Sequence, residues 1–124
     1  METTRFARIA KALSDPTRFE ILECVARKRE VPCKGVCECF PVSQATVSHH
    51  LKELATAGIV FTRREGQFVY YRVRPGVLDE YLAELERRLQ VIRSFTSPAQ
   101  LFDAFEHDAE ADDAEADDVV AVQG

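Results

Sequence analysis

Between Ser43 and Leu54 the chain reads Ser-Gln-Ala-Thr-Val-Ser-His-His-Leu-Lys-Glu-Leu, and this segment limits the available folds more than any other. Ser43 is a helix-capping residue, Val47, Leu51 and Leu54 recur on one side of a 3.6-residue period, and Gly58 is a helix-stopping residue. The opposite side carries Ala45, His49, Lys52 and Thr56, so the spacing predicts a two-faced helix from Gln44 to about Ala57. Directly after it the period shortens to 2. Ile59 to Thr62 and Phe68 to Val73 are rich in β-branched and aromatic residues and flank Arg63-Arg64-Glu65-Gly66-Gln67, the pattern of a hairpin. A helix that runs straight into a hairpin has to bury its apolar side against elements that precede it.

Those elements are legible upstream. Phe6, Ile9, Ala10 and Leu13 fall at helical spacing and predict a first helix from about Thr4 to Leu13. Ser14-Asp15-Pro16 supplies a cap followed by proline at the first helical position, opening a second helix with Phe19, Leu22, Val25 and Ala26 on one face. Arg27-Lys28-Arg29 and Val31-Pro32 end it, and a short third helix fits between Cys33 and Phe40, closed by Pro41 and weakened by Gly35. Beyond the hairpin a long helix is expected from Gly76 to about Arg93, with Leu78, Tyr81, Leu82, Leu85, Leu89 and Ile92 as its apolar stripe. Helix, helix, short helix, helix, hairpin, helix is the winged helix-turn-helix order, mainly α with a β-hairpin wing. Residues 1–93 form this domain, 94–105 a short amphipathic segment in which Ser97-Pro98-Ala99-Gln100 resembles a capping box ahead of Leu101, Phe102 and Phe105, and 106–124 an acidic tail expected to be disordered.

The net charge of −5 argues against a nucleic-acid partner until it is divided along the chain. Residues 1–102 hold all 16 Lys and Arg against 12 Asp and Glu, while residues 103–124 hold 9 acids and no base. A mildly basic body with a separate acidic tail suits contact with phosphates. On the polar side of the Gln44 helix, Gln44, Thr46, Ser48 and His49 sit where a recognition helix meets base edges in the major groove, and Lys52, Arg63 and Arg64 sit where phosphates would be held. His50 lies near the core edge and is expected to pack. The chain offers no phosphate-cradling glycine loop, no framed pair of carboxylates and no nucleophile elbow, so catalysis has no visible centre; the competing reading is a winged helix that binds a protein partner. No apolar run approaches the roughly 20 residues that span a bilayer and no secretory signal is visible, so the expected location is the cytoplasm, where thiols stay reduced.

Ala12-Leu13-Ser14-Asp15-Pro16-Thr17-Arg18-Phe19-Glu20-Ile21-Leu22 and Ser43 through Leu54 resemble the two most recognisable stretches of the ArsR/SmtB family of metal-responsive repressors, over about residues 4–93. The resemblance implies double-stranded operator DNA as partner, no cofactor required for binding it, and a homodimer joined through the first and last long helices. Phe6, Ile9, Leu78, Leu82, Leu85 and Leu89 are the interface candidates. It also implies release from DNA by an inducer.

Three thiols in seven residues, Cys33, Cys37 and Cys39, precede the turn into the recognition helix. Soft thiolates select soft ions, so arsenite, antimonite or another soft metal ion is the expected inducer. Cys37-Glu38-Cys39 resembles the Cys-x-Cys pair that arsenite repressors of the family carry in the third helix, although it lies several residues closer to Ser43 than the family pair. Cys33 and Cys37 share a helical face, whereas Cys39 lies about 200° around from Cys37, so all three cannot meet on a regular helix. A structural zinc site with Cys24 as fourth ligand has the wrong spacing, and Cys24 is expected to project away from the Leu22 face without a partner. Two further readings stay open: a disulfide switch, if Lys34 and the helix start depress a thiol pKa, and plain packing. The family's zinc site between the last helices wants histidines, and Tyr81 stands where one would be expected.

Overall fold

The computed structural model describes residues 1–96 and Pro98; the amphipathic segment around Leu101, Phe102 and Phe105 and the acidic tail lie outside the described residues. Helix α1 spans Thr3–Leu13 and α2 spans Pro16–Lys28, followed by a two-residue strand β1 at Val31–Pro32 and the short α3 at Cys33–Cys37. The recognition-type helix α4 is Gln44–Thr56, the wing strands are β2 at Val60–Glu65 and β3 at Phe68–Val73, and α5 is Val77–Phe95. None of the described helices is long and apolar enough to cross a membrane.

Each boundary has a local cause. Asp15 caps α2 by accepting the Arg18 backbone N–H at 3.0 Å, with Pro16 in the first turn as the sequence predicts. Ser43 caps α4 by accepting the Thr46 N–H at 3.1 Å. At the other end of α4, Gly58 adopts φ 78°, and the bonds from Gly58 N to Ala55 O and from Ile59 N to Leu54 O close it as a Schellman motif. The end of α2 is different. Arg29, not a glycine, takes φ 65° and ψ −50°, and the Glu30 N–H reaches back to the Lys28 carbonyl at 2.7 Å, which makes Arg29 the centre of a tight γ-turn.

Nothing in the sequence pattern predicts strand β1. It pairs antiparallel with β3, Val31 opposite Tyr71 and Pro32 opposite Tyr70, so the sheet has three strands in the order β1-β3-β2. Gly35 explains how α3 can follow so closely: a Cβ there would lie 2.6 Å from the Val31 side chain, so only glycine admits this approach. The hairpin is tighter than the five-residue connection predicted. Strand pairing continues to Glu65 opposite Phe68, leaving Gly66 and Gln67 as the turn, with Gly66 at φ 61° in its first central position.

The core of the unit formed by Met1–Glu84 gathers Ile9 and Ala12 of α1, Ile21, Leu22, Cys24 and Val25 of α2, Val31, Val36, Val47, Leu51, Leu54, Ile59, Val60 and Val77. Two expectations are corrected here. The buried face of α2 is centred on Ile21 rather than on Phe19, which is 42% exposed, and Ala26 is exposed as well. Ile9, named above as an interface candidate, is fully buried within the chain's own core and has nothing left to offer a partner.

Candidate nucleic-acid interface and thiol pairs

Val47, His50, Leu51 and Leu54 hold α4 against the core, and that packing turns Gln44, Ala45, Ser48, His49 and Lys52 outward, where all are exposed. Thr46 stands apart: it is half-buried and its hydroxyl lies 2.9 Å from the Ser43 hydroxyl, so part of its hydrogen-bonding capacity is used by the cap. His50 is packed, as expected. Its Nδ1 accepts a hydrogen bond from Arg18 Nε at 3.3 Å, and burial pushes its pKa below the ordinary 6.5, partly offset by Asp15. Arg18 also donates to the Ala12 carbonyl at 3.5 Å, so one side chain ties α4 to the end of α1.

The wing arginines separate by strand alternation. Arg63 turns back onto the body: Nη2 and Nε donate to the Glu30 carboxylate at 2.6 and 3.2 Å, Nη1 donates to Glu65 at 2.8 Å, and the guanidinium lies 4.8 Å from the Tyr70 ring centroid. Arg63, expected to hold a phosphate, has its charge matched by two carboxylates of the chain itself. Arg64, on the other face of β2, is exposed. Arg72 and Arg74 lie over the Phe61 ring at 5.7 and 5.2 Å. Sequence reasoning missed Glu30 and Arg18, since their partners lie 33 and 32 residues away and no local period joins them.

Helix α3 ends at Cys37, and Cys39 lies in the turn beyond it, with its Sγ 3.9 Å from the Gly35 carbonyl. The thiols differ in burial. Cys33 and Cys37 stand at the two ends of α3, four residues apart and so one helical turn from each other, and both are half-buried. Cys24 of α2 is buried in the core, whereas Cys39 is exposed. Burial first, then the neighbouring Cys37, pushes the Cys33 thiol up to about 11, opposite to the depression expected from Lys34; burial and Cys39 raise that of Cys24. Among the described residues no group of three His, Cys, Asp or Glu is placed to hold a metal ion. Cys33 and Cys37 fit a two-sulfur chelate, whereas a three-sulfur site needs Cys39 to leave its contact with the Gly35 carbonyl.

The apolar candidates on α1 and α5 also divide. Phe6 stacks on Tyr81 with ring centroids 5.1 Å apart, and Leu78 packs partly against the core. Leu82 is 59% exposed, and Leu85 and Leu89 are half-buried further along α5. Leu13, Phe19, Leu78, Tyr81 and Leu82 line an open groove of about 190 Å³.

The family described as a helix-turn-helix domain matches residues 13–63, which run from the end of α1 to the start of the wing. An arsenic resistance transcriptional regulator of Pseudomonas putida is 34% identical over 93 residues, covering 75% of this chain and 73% of its own. Among solved structures, an ArsR-like transcriptional regulator from a Rhodococcus species is 28% identical with a TM-score of 0.60, covering 77% of this chain and 95% of the other. A homodimeric winged helix-turn-helix domain from Mycobacterium bovis is also 28% identical, with a TM-score of 0.55 and coverage of 77% and 84%. With an outward-facing recognition helix, a wing and these relatives, the chain belongs to the ArsR family of winged helix-turn-helix, DNA-binding transcriptional regulators.

Proposed function

We propose that this chain is a homodimeric repressor that grips a two-fold operator and is released by a soft, thiol-seeking ion, with arsenite or antimonite first in order. The observation that carries the reading is the outward face of α4, fixed at one end by the Ser43 cap and along its length by the core. Gln44 and Ser48 are free to pair with base edges and His49 stands beside them, while Lys52 and Arg64 hold phosphates. Thr46 acts mainly through the cap. Two copies would join through α1 and α5, where Leu82, Val91, Ile92 and Phe95 leave apolar surface exposed that a second copy could cover.

The inducer reading rests on Cys33 and Cys37, one turn apart on α3, and on the arsenic resistance for which the P. putida relative is named. A soft ion supplies strong bonds to thiolates and a preference for more than two of them. Cys39 would leave the Gly35 carbonyl to serve as the third sulfur. Because only Phe40, Pro41 and Val42 separate it from Ser43, that movement pulls on the cap of the recognition helix.

Arsenite, antimonite, cadmium and zinc titrated into a preformed complex with the chain's own promoter test the proposal. Release by a trivalent metalloid, abolished in Cys37→Ser, is the expected result. Ser48→Ala should weaken operator binding by about 1 to 3 kcal/mol while sparing random DNA. Binding that is equally weak on all sequences would favour the protein-interaction reading instead.

A further inference from the structure

Helix α1 has two flanks beside its buried Ile9 and Ala12. Phe6 and Leu13 occupy the flank that meets α5, Phe6 through its stack on Tyr81 and Leu13 through the apolar groove. Thr4, Arg8 and Lys11, spaced i, i+4, i+7, lie about 180° around the helix axis from them. There they line an open pocket of about 310 Å³ whose other wall is Glu53 and Thr56 of α4. Ala7 and Ala12 line it too and are too short to fill it. Arg8 and Lys11 are exposed, and among the described residues neither side chain has a hydrogen bond or an ion pair. Arg5 of the same helix differs, being matched by Glu80 at 3.2 Å.

Thr56 is also the last member of the outward stripe of α4 that runs through Ala45, His49 and Lys52, so the pocket continues the DNA-facing surface. Along the helix axis Thr56 lies about 16 Å from Ala45, farther than the roughly 12 Å width of the major groove. A helix inserted by its first turn therefore carries its last turn out to the phosphate rim. We propose that this pocket is a clamp for the DNA backbone: Arg8 and Lys11 neutralise two phosphates at the edge of the groove that α4 reads, and the Thr4 and Thr56 hydroxyls donate to their oxygens. Helix α1 so joins α4 and the wing in holding DNA, an assignment that rests on the outward face of α4 being the one that meets the duplex.

The lining selects phosphate by charge and by shape. The Arg8 guanidinium can fork onto two oxygens of one phosphate, while the Lys11 ammonium acts as a point charge, and each releases counterions from the duplex. Glu53 shares the pocket, pairs with neither cation, and repels an anion from the α4 wall toward the α1 side. An open pocket leaves the outer oxygens of a phosphate in water, as they are on a duplex backbone.

The experiment uses the full chain, reduced, with its promoter and with a random duplex of equal length, and reads fluorescence anisotropy over a series of salt concentrations. Arg8→Gln and Lys11→Gln should each lower the slope of log affinity against log salt by about 1 on both duplexes, and the double variant by about 2. Arg5→Gln, the same change of charge on the same helix but outside the pocket, should keep the wild-type slope. Glu53→Gln should tighten binding to both duplexes. Phosphate ethylation on the promoter gives a second reading: positions whose ethylation blocks the wild type and not the double variant are the clamped phosphates. Wild-type slopes in Arg8→Gln and Lys11→Gln, an equal loss in Arg5→Gln, or an ethylation pattern unchanged in the double variant would overturn the proposal. Lys52→Gln separates this failure from a wider one. If it lowers the slope and the α1 variants do not, only the clamp is lost; if none of the three lowers it, the DNA-facing role of α4 falls as well.

Discussion

Arg63 of β2 and Glu30, the residue that follows the γ-turn at the end of α2, form a two-pronged ion pair at 2.6 and 3.2 Å that fastens the wing to the body. Arg72 approaches the same carboxylate at 3.9 Å, and the Arg63 hydrogen bonds hold Glu30 below the usual carboxylate range. The pair joins the wing to the end of α2 and so bears on where the wing sits.

Arg64→Ala should therefore lower the slope of log affinity against log salt by about 1 for each phosphate that Arg64 neutralises, on operator and random DNA alike. Arg63→Ala should leave that slope near wild type. Fluorescence anisotropy at several salt concentrations decides between them, and a reduced slope in Arg63→Ala alone would return the phosphate role to Arg63.

The element order, the caps at Asp15 and Ser43 and the outward set on α4 were legible because each is written in a local period or in adjacent residues. What was not legible depended on distant partners or on choosing among apolar residues. Phe19 reads as core because it is large, yet Ile21, Cys24 and Val25 form the i, i+3, i+4 set that is buried, and the true face is turned by about 90°. Phe19 is apolar for another reason: it lines the groove with Leu13 and Leu82. Strand β1 is too short to show a period, and the burial of Cys24 follows from the turned face of α2, which the choice of Phe19 as core concealed.

Leu82 and Ile9 should respond in opposite ways to truncation or charge. Leu82→Glu, at a 59% exposed site, should leave the fold intact and yield monomers that bind operator poorly, because the two half-sites are no longer engaged together. Ile9→Ala should cost about 2 to 5 kcal/mol of stability through the cavity it leaves. Sedimentation and chemical denaturation read these outcomes, and a Leu82→Glu protein that remains dimeric would move the interface elsewhere.

Arg29 holds a backbone conformation in which a Cβ is strained, at φ 65° and ψ −50°. Arg29→Gly should stabilise the chain by about 1 kcal/mol, offset in part by the greater freedom of glycine in the unfolded state. Urea denaturation at fixed pH measures it. Destabilisation would mean that the Arg29 side chain contributes more than its backbone costs.

His50 gives the chain a pH dependence whose direction follows from its surroundings. Arg18 Nε donates to Nδ1, so that nitrogen must be unprotonated, and a proton there would set a second positive charge against the Arg18 guanidinium. Burial is the largest influence lowering the pKa; Arg18 and His49 act in the same direction, and Asp15 and Glu53 oppose it. The unfolded chain takes up this proton near pH 6.5, the folded chain only at lower pH, so the contribution to stability is present in full above about 6.5 and is lost as pH falls toward the folded value. His50→Gln, whose carbonyl can accept from Arg18, should flatten the decline in stability between pH 6.5 and 5.5, whereas His49→Gln at an exposed position should retain it. Denaturant midpoints at pH 7.5, 6.5 and 5.5 read the effect, and a His50→Gln protein with the wild-type decline would assign it to other groups.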